Sequence, residues 1–164
     1  MKTRLAWAIS LLLASSLLSA CGGGDPGSSA SRPAAPQATE RSRDFGDHVL
    51  HYNALTTDQL PADVARNFGI TRSKARAMLN IVMIRKEVGT LGRSVKGNVT
   101  ARTTNLTGQL KNLELRPLTE GDATYYIGTI NVADGEVLVF DIEAMAEGTT
   151  TPMTVRFQQQ FFTR

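Results

Sequence analysis

The longest apolar run of the chain lies near its N-terminus, from Leu5 to Leu18, and only three serines interrupt it. Lys2 and Arg4 precede the run, and the small residues Ser19-Ala20 follow it. A basic start, an apolar centre and a small-residue end are typical of an export signal. A membrane-spanning helix would need about 20 apolar residues, and this run is shorter. We therefore expect residues 1–20 to be a signal peptide that is removed.

Apolar and polar residues alternate with a period of two through most of the second half of the chain. This period is typical of strands with one buried face. Seven strands are predicted, at residues 48–55, 75–86, 95–103, 113–116, 125–132, 137–142 and 153–162. Asp134-Gly135 is a two-residue hairpin signal between two of them. The pattern predicts an immunoglobulin-like antiparallel β-sandwich of about seven strands, with a small closed barrel as the alternative.

Two segments depart from the strand pattern, one with helical features and one that fits both helix and strand. Between Thr57 and Gly69, Pro61 suits a first helical turn and Gly69 suits a left-handed helix end, so we expect one short helical insertion there. Residues 75–86 fit both helical and strand spacing. The β-branched Ile81 and Val82 favour a long central strand for this second segment.

The stretch Leu18-Ser19-Ala20-Cys21 contains the only cysteine in the chain. It is similar to the lipobox of bacterial lipoproteins, and that resemblance implies cleavage before Cys21 and lipid attachment to the thiol and the new amino group. A free or disulfide-bonded cysteine is the simpler alternative, but a lone cysteine has no partner within the chain. Gly22 stands where an aspartate would retain such proteins in the inner membrane, so we expect the outer membrane. The lipid on Cys21 would be the membrane contact.

Residues 21–43 follow as a tether rich in Gly, Ser, Ala and Pro, which has too few large apolar side chains to fold. Residues 44–164 are long enough for one domain, which contains no cysteine and must fold without disulfides. Loss of Lys2 and Arg4 with the leader lowers the formal net charge of +3 by two. The chain is therefore not strongly basic, and export makes a nucleic-acid partner implausible.

The charges of the domain are segregated along its sequence. Ten basic residues and one acid lie in residues 64–113, whereas eight acids and one arginine lie in residues 114–147. Pairing of the two segments across strands is the interpretation that we favour. The alternative is a basic face that meets an anionic partner, for which the candidate patch is Arg72, Lys74 and Arg76.

Metal and catalytic chemistry have weaker support in the sequence. His48 and His51, together with several methionines, are weak candidates for a copper site. Three residues apart on a strand, the two histidines would point to opposite faces. Neither Ser73 nor Ser94 lies in a nucleophile-elbow motif, so no catalytic residue is assigned and no cofactor is expected.

Several motifs of the domain resemble a known group. These are Phe45-Gly46-Asp47, His51-Tyr52-Asn53-Ala54, Gly69-Ile70-Thr71-Arg72-Ser73-Lys74, Leu79-Asn80 and Glu120-Gly121-Asp122-Ala123-Thr124-Tyr125-Tyr126. With them the chain resembles the domain-of-unknown-function family 4426, an uncharacterised group of exported proteobacterial proteins, from about Phe45 to the C-terminus. The resemblance implies a β-rich domain facing the periplasm and supplies no catalytic residue. The tether and lipid anchor are departures from the plain secretory signal of the family.

The sequence therefore predicts a membrane-tethered lipoprotein that faces the periplasm. We interpret it as a non-enzymatic module for protein interaction or envelope maintenance, with an envelope protein as its possible partner. Exposed sheet edges and the end loops at residues 71–75 and 89–93 are the expected contact sites. The alternatives are, in order, a periplasmic copper-handling or chaperone-like protein and an uncharacterised enzyme.

Overall fold

A computed structural model describes residues 41–164 of the chain. The predicted signal peptide, the lipid attachment at Cys21 and almost all of the tether lie outside the described residues. Within residues 41–164, no helix is both long enough and apolar enough to cross a membrane.

The described residues form ten strands, one 3₁₀ turn and one short helix. In chain order these are β1 (Ser42–Phe45), β2 (His48–Thr56), the 3₁₀ turn (Thr57–Gln59), α1 (Ala62–Asn67), β3 (Arg76–Arg85), β4 (Arg93–Ser94), β5 (Gly97–Asn105), β6 (Leu110–Lys111), β7 (Arg116–Glu120), β8 (Ala123–Asn131), β9 (Val137–Ala146) and β10 (Met153–Gln160). The first strand begins two residues before the domain boundary that the sequence predicts.

The strands form two antiparallel sheets. The six-stranded sheet has the order β1-β2-β3-β8-β7, with β4 also paired to β3. The four-stranded sheet has the order β10-β9-β5-β6. No strand of one sheet pairs with a strand of the other within the described residues, so the fold is a β-sandwich and not a closed barrel.

The main core lies between the two sheets. Alternate residues of β3 and β9 point into it, among them Leu79 and Ile81 from one sheet and Leu138 and Phe140 from the other, all of them fully buried. The ring of Phe157 lies 5.0 Å from that of Phe140, in a stacked arrangement. Because apolar side chains of both sheets interdigitate here, this layer supplies most of the burial that stabilises the domain.

A second apolar cluster covers the outer face of the six-stranded sheet. Leu60, Ala65 and Ile70, from the segment around α1, pack on Met78 and Ile127. The helix is followed by Gly69, whose φ of +64° is in the left-handed region that ends helices. The helical insertion predicted between β2 and β3 is therefore present, and its function in the fold is to bury one outer surface.

The connection between β6 and β7 passes through a gap that a glycine provides. Gly128 of β8 lies opposite Leu79 on the inner side of the sheet. A Cβ atom at Gly128 would lie 2.7 Å from Leu113 Cδ1 and 2.8 Å from the carbonyl oxygen of Glu114. Gly128 thus admits the connecting segment into the edge of the core.

The predicted sandwich with one short helix is confirmed, as is the strand at residues 75–86, observed as β3. Six of the seven predicted strands have a counterpart. Of the other four observed strands, β1, β4 and β6 have two to four residues each and β7 has five. Short strands carry too few alternations to be detected.

Two local predictions are wrong. Leu113 and Leu115 alternate as in a strand, but they belong to the connection just described, and the strand begins at Arg116. The turn at Asp134-Gly135 exists, with φ of +72° at Gly135, but it connects β8 of one sheet to β9 of the other and forms no hairpin. Gly135 instead donates its N–H to the carbonyl of Phe161, 2.9 Å away, which directs the chain into the second sheet.

Candidate interaction surface

Two apolar side chains project from the loop between β3 and β4. We call Lys86–Gly92 the apolar loop. Val88 and Leu91 have relative exposures of 106% and 102%, the highest of the large apolar residues in the described part of the chain. Scattered apolar residues are normal on a protein surface, but two fully exposed ones three positions apart on one loop form a small patch.

Hydrogen bonds within the apolar loop hold its shape. The N–H and the hydroxyl of Thr90 both donate to the carbonyl of Glu87, each at 3.2 Å, and the N–H of Gly92 donates to Thr90 Oγ1 at 3.0 Å. Arg93 Nε lies 3.2 Å from Glu87 Oε1 and closes the base of the loop. The exposed side chains are therefore presented on a braced turn.

Gly92 permits the close approach that shapes this turn. Its φ is +82°, and a Cβ atom there would lie 2.6 Å from the carbonyl oxygen of Arg85. Both features exclude other residues at this position.

The apolar loop is joined to the neighbouring β1–β2 turn. The backbone N–H of Lys86 donates to the carbonyl of Asp47 at 2.8 Å, and Lys86 Nζ lies 2.5 Å from Asp44 Oδ2. The hydrogen bond from Lys86, and then that from the N–H of Gly46, lowers the pKa of Asp44 below its ordinary value. The two turns thus form one continuous end of the sandwich.

A cavity of about 390 Å³ lies beside the apolar loop and contains charges of both signs. Its lining includes three basic residues, Arg85, Arg93 and Lys96, and two acids, Asp122 and Glu147. Arg85 and Lys96 form no ion pair within residues 41–164. This end of the sandwich therefore combines an apolar tip with a polar border of mixed charge.

The candidate patch of Arg72, Lys74 and Arg76 lies elsewhere, in the segment that precedes β3. Arg72 Nη2 donates to the carbonyl of Asp58 at 2.5 Å. Arg76 is half-buried in a cavity that it shares with Glu114. Lys74 is exposed and has no ion pair within the described residues. Two of the three cations are thus turned towards the chain itself, and the patch stays a prediction.

The ion pairs bear on the segregated charges of the sequence. Between residues 41 and 164 the pairs are Lys86–Asp44, Arg93–Glu87, Lys111–Glu136, Arg156–Asp141 and Arg164–Asp134. Only Lys111–Glu136, at 2.7 Å, connects the basic segment to the acidic segment. Most cations of the basic segment are therefore not neutralised by direct pairs with the acidic segment.

The outer face of the four-stranded sheet carries a shallow cavity of about 570 Å³. Arg102, Asp141 and Arg156 lie side by side on β5, β9 and β10 in one row of the sheet. Arg156 Nη1 lies 3.4 Å from Asp141 Oδ1, whereas Arg102 forms no ion pair within residues 41–164. The face is polar throughout this row and does not contribute to the core.

The histidines and methionines do not converge. His51 is exposed on the outer face of the six-stranded sheet. His48 is half-buried and lies on the same face of β2 as the buried Leu50. The methionines lie in separate environments, for example Met83 in the main core and Met145 at the surface. Within the described residues, no group of three or more His, Cys, Asp or Glu side chains is placed to hold a metal ion.

The sequence predicts the end loop at residues 89–93 as a contact site but does not single out Val88 or Leu91. The signal in the sequence is the stretch Val88-Gly89-Thr90-Leu91-Gly92, in which a glycine follows each large apolar residue and interrupts strand structure. Such a stretch reads as a turn, and an apolar side chain on a turn has no sheet face to pack against.

Comparison with known proteins identifies the family of this β-sandwich. The model of the domain of unknown function DUF4426 matches residues 42–164, and the chain therefore belongs to the DUF4426 family. A DUF4426 family protein from Pseudomonas aeruginosa PAO1, solved by crystallography, is 32% identical with a TM-score of 0.63. The match covers 75% of this chain and 94% of that chain. None of the curated proteins matches the sequence.

A more distant likeness concerns FetP from uropathogenic Escherichia coli strain F11, which was recombinantly expressed in the periplasm. It is 12% identical with a TM-score of 0.53, and the match covers 76% of this chain and 94% of FetP. A copper-bound variant of FetP is 13% identical with the same TM-score, covering 73% of this chain and 93% of that one. At this identity the likeness shows a shared fold only.

Proposed function

We propose that this protein is a non-enzymatic interaction module of the bacterial envelope, held at the membrane by lipid on Cys21 and docking a protein partner through the apolar loop. The observation that carries the proposal is the full exposure of Val88 and Leu91 on a turn that is braced by its own hydrogen bonds. Burying one such side chain in a partner contributes about 1.5–3 kcal/mol, and a braced loop loses little entropy on docking.

The surroundings of the apolar loop favour a protein partner over a lipid surface. The loop carries no aromatic residue of the kind that anchors proteins at membrane interfaces. Asp122 and Glu147 line the cavity beside it together with cations, and a border of mixed charge matches a protein surface better than it matches uniformly anionic headgroups. The matching partner surface is an apolar pocket with a polar border, on which acidic groups face Arg85 and Lys96.

The test compares the double variant V88S/L91S with the wild-type chain in cells. Envelope proteins are cross-linked in place, and those joined to the module are identified. We expect a reproducible partner that the double variant loses by at least tenfold. The matched control is L106S/L110S, since Leu106 and Leu110 are exposed apolar residues at the opposite end of the sandwich.

Two outcomes would overturn the docking proposal. One is a partner set that is the same for the wild type and V88S/L91S. The other is binding of the wild-type domain to protein-free vesicles of anionic lipid that V88S/L91S abolishes, which would identify the loop as a membrane contact.

The lipid anchor has its own test. Replacing Cys21 by Ser removes the thiol that would carry the lipid, and the chain is then released as a soluble periplasmic protein or stalls before processing. A C21S variant that still incorporates labelled palmitate and fractionates with the outer membrane would contradict the anchor and its expected location.

Copper binding is the second candidate function. A copper-bound form of the FetP neighbour shares the fold, and His48 Nε2 is buried without a hydrogen-bond partner in the described part of the chain. Titration with copper distinguishes the two candidates. Binding tighter than micromolar that is lost in His48→Gln and kept in His51→Gln would favour copper handling.

A further inference from the structure

The free edge of the four-stranded sheet is formed by β10, which pairs with β9 on one side only. In an antiparallel strand, the backbone groups of successive residues point alternately to the two sides. The carbonyl of Thr154 points outward, since it accepts from Arg43 Nη1 at 3.4 Å. The N–H of Phe161 points inward, to the carbonyl of Glu136 at 2.9 Å. The even-numbered residues of β10 therefore direct their backbone groups away from β9.

Arg156 and Gln158 are the central even-numbered residues of β10. Their backbone N–H and C=O groups have no partner strand within the described residues. A row of this kind is a template for another strand.

The other sheet edges are short or contain proline, whereas β10 is long and has side chains only on the outward carbonyls near its ends, those of Thr154 and Gln160. The edge strands β1 and β6 have only four and two residues. The edge strand β7 contains Pro117, which cannot donate a hydrogen bond to an incoming strand. By contrast, β10 has eight residues, no proline and no glycine. Among the described edges, β10 is thus the one that can accept a long partner strand.

The side chains of β10 suit pairing with the same strand of a second copy. Arg156 is the only charged residue of β10, and Asp141 of its own chain already lies 3.4 Å away. In an antiparallel pair centred on Phe157, Arg156 faces Gln158 of the second copy, so no like charges are opposed. A register that brought Arg156 against Arg156 would be disfavoured.

An exposed aromatic residue supports the same register. Phe162, two residues beyond the end of β10, has a relative exposure of 65%. In the pair centred on Phe157, Phe162 faces Pro152 of the second copy. Because the pair is symmetric, it covers Phe162 of both copies. An unrelated extended peptide bound to one copy could cover only one Phe162.

We propose that two copies of this chain pair antiparallel through β10, about a two-fold axis at Phe157, and so join their four-stranded sheets into one of eight strands. Arg156 and Gln158 of the two copies exchange four main-chain hydrogen bonds in this arrangement. β10 shares no residue with the apolar loop, so the dimer and the docking of a partner are tested by separate variants.

The test uses the full chain, expressed with its own leader in two differently tagged forms in the same cells and extracted in mild detergent. Wild-type copies are expected to co-purify. Gln158→Pro removes an outward N–H and places the ring in the path of the second strand, while the pairing with β9 is kept. We expect it to reduce co-purification at least tenfold. Gln158→Thr, which keeps the N–H, should co-purify as the wild type does.

A thermal unfolding curve verifies that Gln158→Pro remains folded. If this variant unfolds, Gln158→Lys serves in its place, because it sets two further cations beside Arg156 of each copy and keeps the backbone. A disulfide test checks the register. When Arg156→Cys and Gln158→Cys are co-expressed, a disulfide should form between one copy of each variant more readily than between two copies of the same variant. Wild-type copies that do not co-purify, or a folded Gln158→Pro that co-purifies unchanged, would overturn the dimer.

Discussion

The hydroxyl of Tyr126 makes two hydrogen bonds to the backbone of Gly97, and in this way it connects the two sheets. It accepts from the N–H of Gly97 at 2.9 Å and donates to the carbonyl of the same residue at 2.8 Å. Tyr126 belongs to β8 of the six-stranded sheet, and Gly97 begins β5 of the four-stranded sheet. At Gly97, β5 pairs with β9 on one side only. The Tyr126 hydroxyl satisfies the backbone N–H and C=O of Gly97 on the other side.

Replacing Tyr126 by Phe should destabilise the domain by about 1–3 kcal/mol, because it leaves two backbone groups of Gly97 without a partner in a partly buried place. Urea unfolding measures the change. Tyr125→Phe is the matched control, since no hydrogen bond of the Tyr125 hydroxyl is found within residues 41–164. Equal effects of the two variants would show that the connection between the sheets contributes nothing.

Replacing Gly128 by Ala should also destabilise the domain, by about 1–3 kcal/mol. The new methyl group would lie 2.8 Å from the carbonyl oxygen of Glu114, and a backbone oxygen cannot move aside without shifting the connection between β6 and β7. The exposed neighbour Thr129 provides the control variant Thr129→Ala. An unfolding midpoint unchanged in Gly128→Ala would contradict the close passage of this segment.

Thr57 is a fully buried polar residue that holds the segment carrying Arg72 and Lys74. Its hydroxyl accepts from the N–H of Ser73 at 2.9 Å and donates to the carbonyl of Thr71 at 2.9 Å. We expect Thr57→Val, which keeps the shape, to cost about 1–3 kcal/mol in urea unfolding. It should also speed amide exchange at Ser73. Exchange at Ser73 that stays as slow as in the wild type would contradict this role.

The pair formed by Lys111 and Glu136 makes stability depend on pH. Burial raises the pKa of Glu136, but the hydrogen bonds from Lys111 and from the N–H of Ala133, with the charge of Lys111, outweigh it and hold the pKa below its ordinary value of 4.5. A carboxyl group whose pKa is lowered by folding stabilises the folded state at pH values above its ordinary pKa. This stabilisation is lost as the pH falls through the pKa of the folded state.

The unfolding free energies of the wild type and Glu136→Gln should therefore differ at neutral pH. The difference should disappear as the pH falls through the pKa of folded Glu136, which lies below 4.5. Unfolding curves over a pH series measure this difference. Glu143→Gln is the control, because Glu143 is exposed and has no ion pair in the described part of the chain. If the difference in unfolding free energy between the wild type and Glu136→Gln stayed constant with pH, it would not come from the ionised carboxylate of Glu136.

Much of the fold follows from local pattern. Alternation along β3, β5, β8, β9 and β10 predicts a two-layer β fold because each strand buries one face. Gly69 predicts the end of the helix because few other residues adopt its φ. The sandwich and the single helix needed no information beyond these short-range preferences.

The relationships that assemble the sheets are long-range, and no local signal carries them. Nothing near Gly97 or Gly128 indicates that Tyr126 or Leu113 lies against it. Asp134-Gly135 specifies a turn but not which sheet the next strand joins. The exposure of Val88 and Leu91 depends on what the fold leaves uncovered, so the candidate surface could be located only as an end loop.

The most direct test of the proposed function is site-specific photo-cross-linking in living cells from position 91, compared with position 106. Both leucines are exposed apolar residues on turns, but they lie at opposite ends of the sandwich. The docking proposal predicts a discrete envelope protein cross-linked from position 91 and absent from position 106. The same products from both positions, or none from position 91, would contradict it.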